Sequence, residues 1–588
     1  MYKAPVEEIA FTLKHVAGLS SALESGRLGD LTEDLVDAIL SEAGRFATEE
    51  VAPLAEIGDR QGARFIDGAV RMPEGWAALY KAWAAGGWNS LTASPDFGGQ
   101  GLPHMLHVAA LEMWNSGSMA FAIGPTLTIG AVEALTAHGS AHLKTTYLPK
   151  MVSGEWMGSM NLTEPQAGSD LGAMKTRAER RDDGTYRLFG QKIFITYGEH
   201  DFTDNIVHLV LARLPDAPGG TRGISLFLVP KFLVNADGSL GARNDVHCHS
   251  IEHKLGIHAS PTCTMIYGDG RFGAEPGAVG WLVGEENRGL ACMFTMMNNA
   301  RLAVGMQGVA IAEAATQKAV AYARERLQGR APGWQGSGMS PIIEHPDVAR
   351  MLLTMKVLTQ GARAIAYVCA SAVDRAAHGE YAEHWAERAS LLTPVAKSFA
   401  TDAGVEVSSL GVQVHGGMGY IEETGAARLY RDARIAPIYE GTNGIQAIDL
   451  VTRKLPLSDG NHMRGFIAEL RAIAANAKDP SLGETGPRLE AGIADLETAT
   501  EWLLAALAEG RQAAALAGAT PFQRLFGLVL TGAYLAKGAL ADGGDGRNAE
   551  RTALCRFAAE NIIGEAAALR DRVVSGAGSL EAARTVLA

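Results

Sequence analysis

Apolar residues change their period twice along this chain. From Leu31 to about Glu155 they recur at helical spacing, with Leu35, Ile39 and Ala43 on one predicted face and Trp76, Leu79, Tyr80 and Trp83 on another. Inside this region Arg64-Phe65-Ile66-Asp67-Gly68-Ala69-Val70-Arg71 reads as a turn with extended flanks, and the glycine-rich run from Asp96 to Pro103 reads as a break before the next helix. Helical runs carrying Leu106, Ala110 and Met113, then Ile129, Ala134 and Leu135, follow it. Near Met157 the pattern becomes alternating. Thr185 to Gly190, Lys192 to Thr196, Ile206 to Leu211 and Gly223 to Val229 are predicted strands, with Asp182-Asp183-Gly184 as a turn between strands. From Gly284 the helical period returns, with Phe294, Met297, Arg301, Val304 and Gly308 on one face and long helices predicted over 346–376 and 384–411. A break at Pro456 to Asp459 precedes a last helical stretch, striped by Ile493, Leu496, Leu503 and Leu507 and by Leu525, Phe526, Val529 and Tyr534.

These periods predict an α+β fold that is mostly α. Its expected parts are an N-terminal arm with a short helix (1–28), a helical domain (29–156), a β domain (157–283), a second helical domain (284–455) and an extra helical domain (456–588). A length of 588 residues is well beyond one hydrophobic core, in keeping with several domains.

Charge and cysteine content narrow the classes. A net charge of −13 argues against a protein that coats nucleic acid or a membrane surface, while leaving room for an anionic small ligand in a local basic pocket. Residues 456–588 hold no Lys/Arg cluster, which argues against nucleic-acid binding there. Cys248, Cys263, Cys292, Cys369 and Cys555 are scattered without a C-x-x-C pair or metal-like spacing, so free thiols and no metal are expected. The acidic N-terminus does not resemble a signal peptide, no membrane-spanning segment is expected, and the predicted location is cytoplasmic.

Four stretches could carry chemistry. Ile438-Tyr439-Glu440-Gly441-Thr442-Asn443-Gly444 sets one carboxylate in flexible backbone, as a base needs, although Glu-Gly-Thr also begins ordinary helices. Gln413-Val414-His415-Gly416-Gly417-Met418-Gly419 is a second glycine-rich run. Met160-Asn161-Leu162-Thr163-Glu164-Pro165-Gln166-Ala167-Gly168-Ser169-Asp170 presents hydroxyls and backbone N–H groups around a turn. Phe194 and Thr196, two apart on a predicted strand, share a face and suit either a flat heterocycle or a cross-strand aromatic–threonine pair.

Taken in order, the segments from Thr163 to Asp170, Ile193 to Thr196, Tyr322-Ala323-Arg324-Glu325-Arg326, Gln413 to Gly419 and Ile438 to Thr442 resemble the acyl-CoA dehydrogenases over about residues 30–455. The resemblance implies a helical domain, a β-barrel and a four-helix bundle, with FAD as cofactor and α,β-dehydrogenation of an acyl-CoA thioester. It makes Glu440 the catalytic base. It implies FAD contacts at Met160, Leu162, Thr163, Phe194, Ile195, Thr196, Arg326, Gln413, Gly416, Gly417, Gly441 and Thr442, and substrate contacts at Ser169, Arg301, Tyr439 and Gly441. Arg326 would reach the FAD of a neighbouring subunit, which implies a homodimer or homotetramer. An electron-transfer flavoprotein would accept the electrons.

The chain departs from the family pattern in three places. Phe194 stands where tryptophan is frequent, the run Leu327-Gln328-Gly329 lacks a phenylalanine before its glycine, and Pro346 stands near a frequent glutamine. The segments outside 30–455, with Tyr2-Lys3-Ala4-Pro5-Val6 and Glu325-Arg326-Leu327-Gln328-Gly329, resemble a larger bacterial branch of the family. That branch includes the 3-methylmercaptopropionyl-CoA dehydrogenases of dimethylsulfoniopropionate breakdown and some broad-range fatty acyl-CoA dehydrogenases of β-oxidation. A nitroalkane oxidase on the same fold would use aspartate as base, whereas position 440 is glutamate.

Overall fold

In the computed structural model, which describes all residues except 274, 378–380, 542 and 588, the chain forms two compact units. One comprises Glu49–Pro103 and Gly117–Ala300; the other comprises Met1–Thr48, His104–Ser116 and Arg301–Ala588. The residues expected as one helical domain over 29–156 therefore contribute to both. The chain passes between units within the helical run His104–His138, which breaks at Ser118 (φ −159°, ψ 104°).

The first unit is built on an eight-stranded sheet. Its order is Val246–Ile251, Thr262–Tyr267, Tyr186–Thr196, Ala278–Val283, Ile224–Pro230, Ile206–Arg213, Met157–Asn161. Arg177–Arg180 pairs with both Tyr186–Thr196 and Ile206–Arg213, closing the sheet into a barrel-like ring. Central strands are buried on both faces: Leu209, Leu211, Leu226 and Leu228 pack with Leu135, Tyr147 and Met151 of the helices. The predicted hairpin forms as Arg64–Ile66 and Ala69–Arg71, with Asp67 (φ 52°) and Gly68 (φ 79°) in the turn.

Two expectations need correction here. The two strands read over 185–196 are one, Tyr186–Thr196, which runs through Gly190; a Cβ there would lie 2.5 Å from Thr176 Oγ1, so the neighbouring chain crosses where only glycine fits. The strands Arg177–Arg180, Val246–Ile251 and Thr262–Tyr267 were not foreseen, because charged, histidine and threonine residues hide their alternation.

The second unit is helical. Pro346–Ala377 and Ala382–His415 pack along their lengths, and Ala519–Leu540 of the last segment lies on both, with Gly527 against the Phe399 ring and Gly361 against Thr531. The 456–588 segment thus shares its core with the bundle. Pro346 occupies the first position of its helix, where its missing N–H costs nothing. Arg363 is fully buried and binds Glu112 through Nε (2.9 Å) and Glu313 through Nη2 (2.7 Å), while Tyr367 donates to Glu112 (2.6 Å). The N-terminal arm is helical (Val6–Phe11, Thr12–Val16), and Gln317 clamps Lys3 by its N–H (3.0 Å) and carbonyl (2.8 Å).

One predicted face is shifted, and one apolar run went unnoticed. In Glu33–Phe46 the buried stripe is Val36, Leu40 and Ala43; Ala43 is buried as expected, but Leu35, 46% exposed, and Ile39 lie one residue out of phase with it. One run long and apolar enough to cross a membrane does exist, in His104–His138, with 83% of it buried within the protein. No Asp, Glu, Lys or Arg falls between Glu112 and Glu133, a stretch the sequence reading overlooked.

Helix Ala382–His415 approaches Gly289–Glu325 backbone to backbone. A Cβ on Gly305 would lie 2.6 Å from Ala396 O, and one on Gly308 2.3 Å from Ala400 O; Gly404 answers from the other side, 2.8 Å from Gly308 O. The expected outcome is that Gly308→Ala lowers stability by about 1–3 kcal/mol through overpacking. Gly465→Ala, with open space around a helical glycine, should leave it unchanged or raise it by about 0.5–1 kcal/mol. Denaturation midpoints of the two variants check this.

Candidate active site

Glu440 sits in the left-handed region (φ 56°), followed by Gly441 (φ 82°). A non-glycine residue held there costs of order 1–3 kcal/mol and persists only where its surroundings fix it. They do. Tyr439 donates its hydroxyl to Gln307 Oε1, Gln446 Nε2 donates to Glu440 O (3.2 Å), and Lys397 Nζ donates to Gly441 O (2.9 Å). Asn443 N donates to Pro437 O (3.0 Å), closing the turn. Thr442 caps the helix Asn443–Asp449 by accepting from Ile445 N (3.2 Å), which leaves its O–H available as a donor.

The Glu440 carboxyl is pushed up to about 7 by burial, with Arg301 and Lys397 pulling it back. Burial disfavours the charged form, and two nearby cations supply only part of the lost solvation. A carboxylate near 7 is tuned for proton abstraction at neutral pH. Arg301 is nearly buried, 3.7 Å from Asp449, and lowered by burial while Asp449 and Glu440 oppose the shift. The structure thus brings Arg301, Tyr439, Glu440, Gly441 and Thr442 together.

Gln413, Gly416 and Gly417 lie at the exposed end of helix Ala382–His415, where Cβ positions at both glycines meet open space. Arg326 follows helix Gly289–Glu325, exposed, with Nη2 3.4 Å from Gln328 Oε1.

In the sheet unit the other predicted residues form a second patch. Ile193 N donates to Thr163 O (2.9 Å), joining the strand with Phe194 and Thr196 to the segment with Met160, Leu162 and Thr163. Phe194 is left-handed (φ 58°) and 59% exposed. Ile195 is buried, so any ligand contact it makes runs through its backbone. Behind the patch, Lys192 Nζ reaches Glu164 Oε1 (2.8 Å) and Leu162 O (3.0 Å), both side chains being buried. Burial raises Glu164, but Lys192, Thr176 and Lys175 outweigh it and hold the carboxyl near 2. Ser169 is exposed on the following turn.

Family models match nearly the whole chain. The acyl-CoA dehydrogenase N-terminal, middle and C-terminal domains cover residues 34–155, 159–269 and 287–455, and an acetyl-CoA dehydrogenase C-terminal-like domain covers 466–584. The chain belongs to the acyl-CoA dehydrogenase family. It is an FAD-dependent oxidoreductase family. The chain is 46% identical to the 3-methylmercaptopropionyl-CoA dehydrogenase of Ruegeria pomeroyi, over 98% of this chain and 99% of that one. It is 35% identical to a butyryl-CoA dehydrogenase of Syntrophomonas wolfei, over 84% and 82%. An acyl-CoA dehydrogenase of Bacillus anthracis, solved with FAD, shares the fold with a TM-score of 0.72 at 21% identity, over 95% of this chain and 91% of that one.

The sequence reading missed Lys397, Asn443, Gln307 and Gln446. Lys397 had a signal: one lysine in the apolar run Pro394-Val395-Ala396-Lys397-Ser398-Phe399 of a predicted helix. In the folded acyl-CoA dehydrogenase it is fully buried.

The shift at Glu440 has a thermodynamic consequence. Its folded value, about 7, lies above the ordinary 4.5, so the folded chain retains a proton that the unfolded chain has released between those values. Stability attributable to this group is therefore present below pH about 4.5 and lost as pH rises through 7. Glu440→Gln should be more stable than the parent at pH 8, by at most about 3 kcal/mol, with the gain vanishing near pH 4.5. Denaturation midpoints across pH measure it.

Proposed function

We propose that this acyl-CoA dehydrogenase oxidises a short acyl-CoA, 3-methylmercaptopropionyl-CoA first among them, to its trans-2-enoyl-CoA. The observation that carries the reaction is Glu440: a carboxylate in a pinned left-handed turn, raised to about 7 beside Arg301 and Lys397. The substrate class is supported by 46% identity to the Ruegeria enzyme along almost the entire chain, extension included.

FAD fits the residues present. Phe194 stands 59% exposed on left-handed backbone, in a bulge where Ile193 and Phe194 oppose the single residue Thr264 of the neighbouring strand, and such bulges re-aim side chains beside ligand sites. Met160, Leu162, Thr163, Ile195 and Thr196 surround it with donors and backbone, Gly441 and Thr442 follow the base, and Gln413, Gly416, Gly417 and Arg326 suit phosphates. FAD, when bound, supplies the acceptor for the β-hydride.

The chain's own residues do the rest. Glu440 takes the α-proton. An α-carbon is too weak an acid for a carboxylate unless the thioester carbonyl is polarised, and the backbone N–H of Glu440 is assigned that task; such donors are worth about 3–4 kcal/mol each. Ser169 contacts the pantetheine arm, and Arg301 and Tyr439 shape the thioester pocket. The enzyme works as a homodimer or homotetramer in the cytoplasm and passes electrons to an electron-transfer flavoprotein.

The test is anaerobic mixing with a panel of acyl-CoAs while the visible flavin absorbance is followed. Bleaching should be fastest with 3-methylmercaptopropionyl-CoA; faster bleaching by medium or long straight chains would assign the broad-range alternative, and no bleaching by any would sink the dehydrogenase reading. Glu440→Gln should keep its flavin and bleach about 10²–10⁴-fold more slowly. The parent's rate should rise with pH through about 7 and then level, because only the ionised base accepts the proton.

A further inference from the structure

Lys397 is a charge that the reaction as described does not use. It is fully buried, and its ammonium donates to two neutral oxygens, Gly441 O (2.9 Å) and Asn443 Oδ1 (2.9 Å). Taking an ammonium out of water costs several kcal/mol even after relaxation. Two neutral acceptors could be satisfied by a neutral donor at far lower cost. The charge is balanced at longer range by the Glu440 and Asp402 carboxylates.

Its second partner is also held. Asn443 Nδ2 donates to Asp402 Oδ1 (2.7 Å) and Ser398 O (3.2 Å). Ser398 and its helix are gripped from the last segment: Gln523 Nε2 donates to Ser398 Oγ and to Pro394 O (3.0 Å). The links therefore run from helix Ala519–Leu540 through Ser398 and Asn443 to Lys397, and from Lys397 to the peptide that follows the base.

We propose that Lys397 is the positioning residue of the base, and that the final helical segment supports it through Gln523. Lys397 fixes the Gly441 carbonyl, so the Glu440–Gly441 turn stays left-handed and the carboxylate keeps one direction. Asn443 couples that turn to helix Ala382–His415, and Gln523 keeps the helix from sliding. A misplacement of about 1 Å at such a site can cost about 10²-fold in rate. This assignment rests on the reading of Glu440 as base.

The experiment uses flavin-loaded protein and follows exchange of the α-hydrogens of butyryl-CoA with D2O, beside steady-state kinetics per bound flavin. Lys397→Met should keep the flavin spectrum and a KM within about threefold, while exchange and kcat fall about 10–100-fold. Asn443→Ala should behave likewise, and Gln523→Leu should lose a few-fold. Parental exchange per flavin in Lys397→Met, beside an inactive Glu440→Gln, overturns the proposal and leaves the base intact. If Lys397→Met does not retain flavin, Asn443→Ala decides by the same criterion. Parental exchange in Glu440→Gln would instead overturn the base assignment itself.

Discussion

A carboxylate that serves as a base must be dry enough to want a proton and fixed enough to meet one. Those demands oppose stability, since a buried charge is expensive and a left-handed glutamate is strained. Much of the helical unit reads as the means of sustaining Glu440 at φ 56°. Backbone contact at Gly305, Gly308 and Gly404 brings two long helices close together. Lys397, on one of them, and Gln446, on the short helix after Glu440, then hold two successive carbonyls of the turn, Gly441 O and Glu440 O.

The sheet unit meets a similar demand in a different way. Phe194 is exposed on left-handed backbone, and what secures it is the buried Lys192–Glu164 pair behind. Breaking such a pair by deleting one partner strands the other charge, so the pair acts as a rivet between the Thr163 segment and the Phe194 strand. Both units thus place a buried lysine beside a left-handed residue of the candidate site.

Large parts of this were legible in the amino-acid order. The long helices, the switch to strands near Met157 and the return after Gly284 follow from period alone, since burial on one face leaves a regular trace. Glu440 stood out as a candidate because its flanking residues form a motif, and the fold sets it in a left-handed turn beside two cations. The burial of Lys397 left a trace in its apolar neighbours, but its partners did not, since they are 44 and 46 residues away and no local pattern announces them. Leu35 misled because two leucine-like stripes one residue apart look alike until a partner chooses between them. The barrel's charged strands were hidden for the opposite reason: their pairing, through backbone groups, leaves little mark on side-chain choice.

The cations beside Glu440 also bear on how the site returns to its starting condition. Once the carboxyl holds a proton, Lys397 has lost one of its two balancing charges and the surroundings are more positive by one unit. A carboxylic acid in that company is a stronger acid than burial alone would make it, as the opposing pulls of Arg301 and Lys397 indicate. The same two side chains thus set how strongly this carboxyl holds a proton, against the burial that favours holding it.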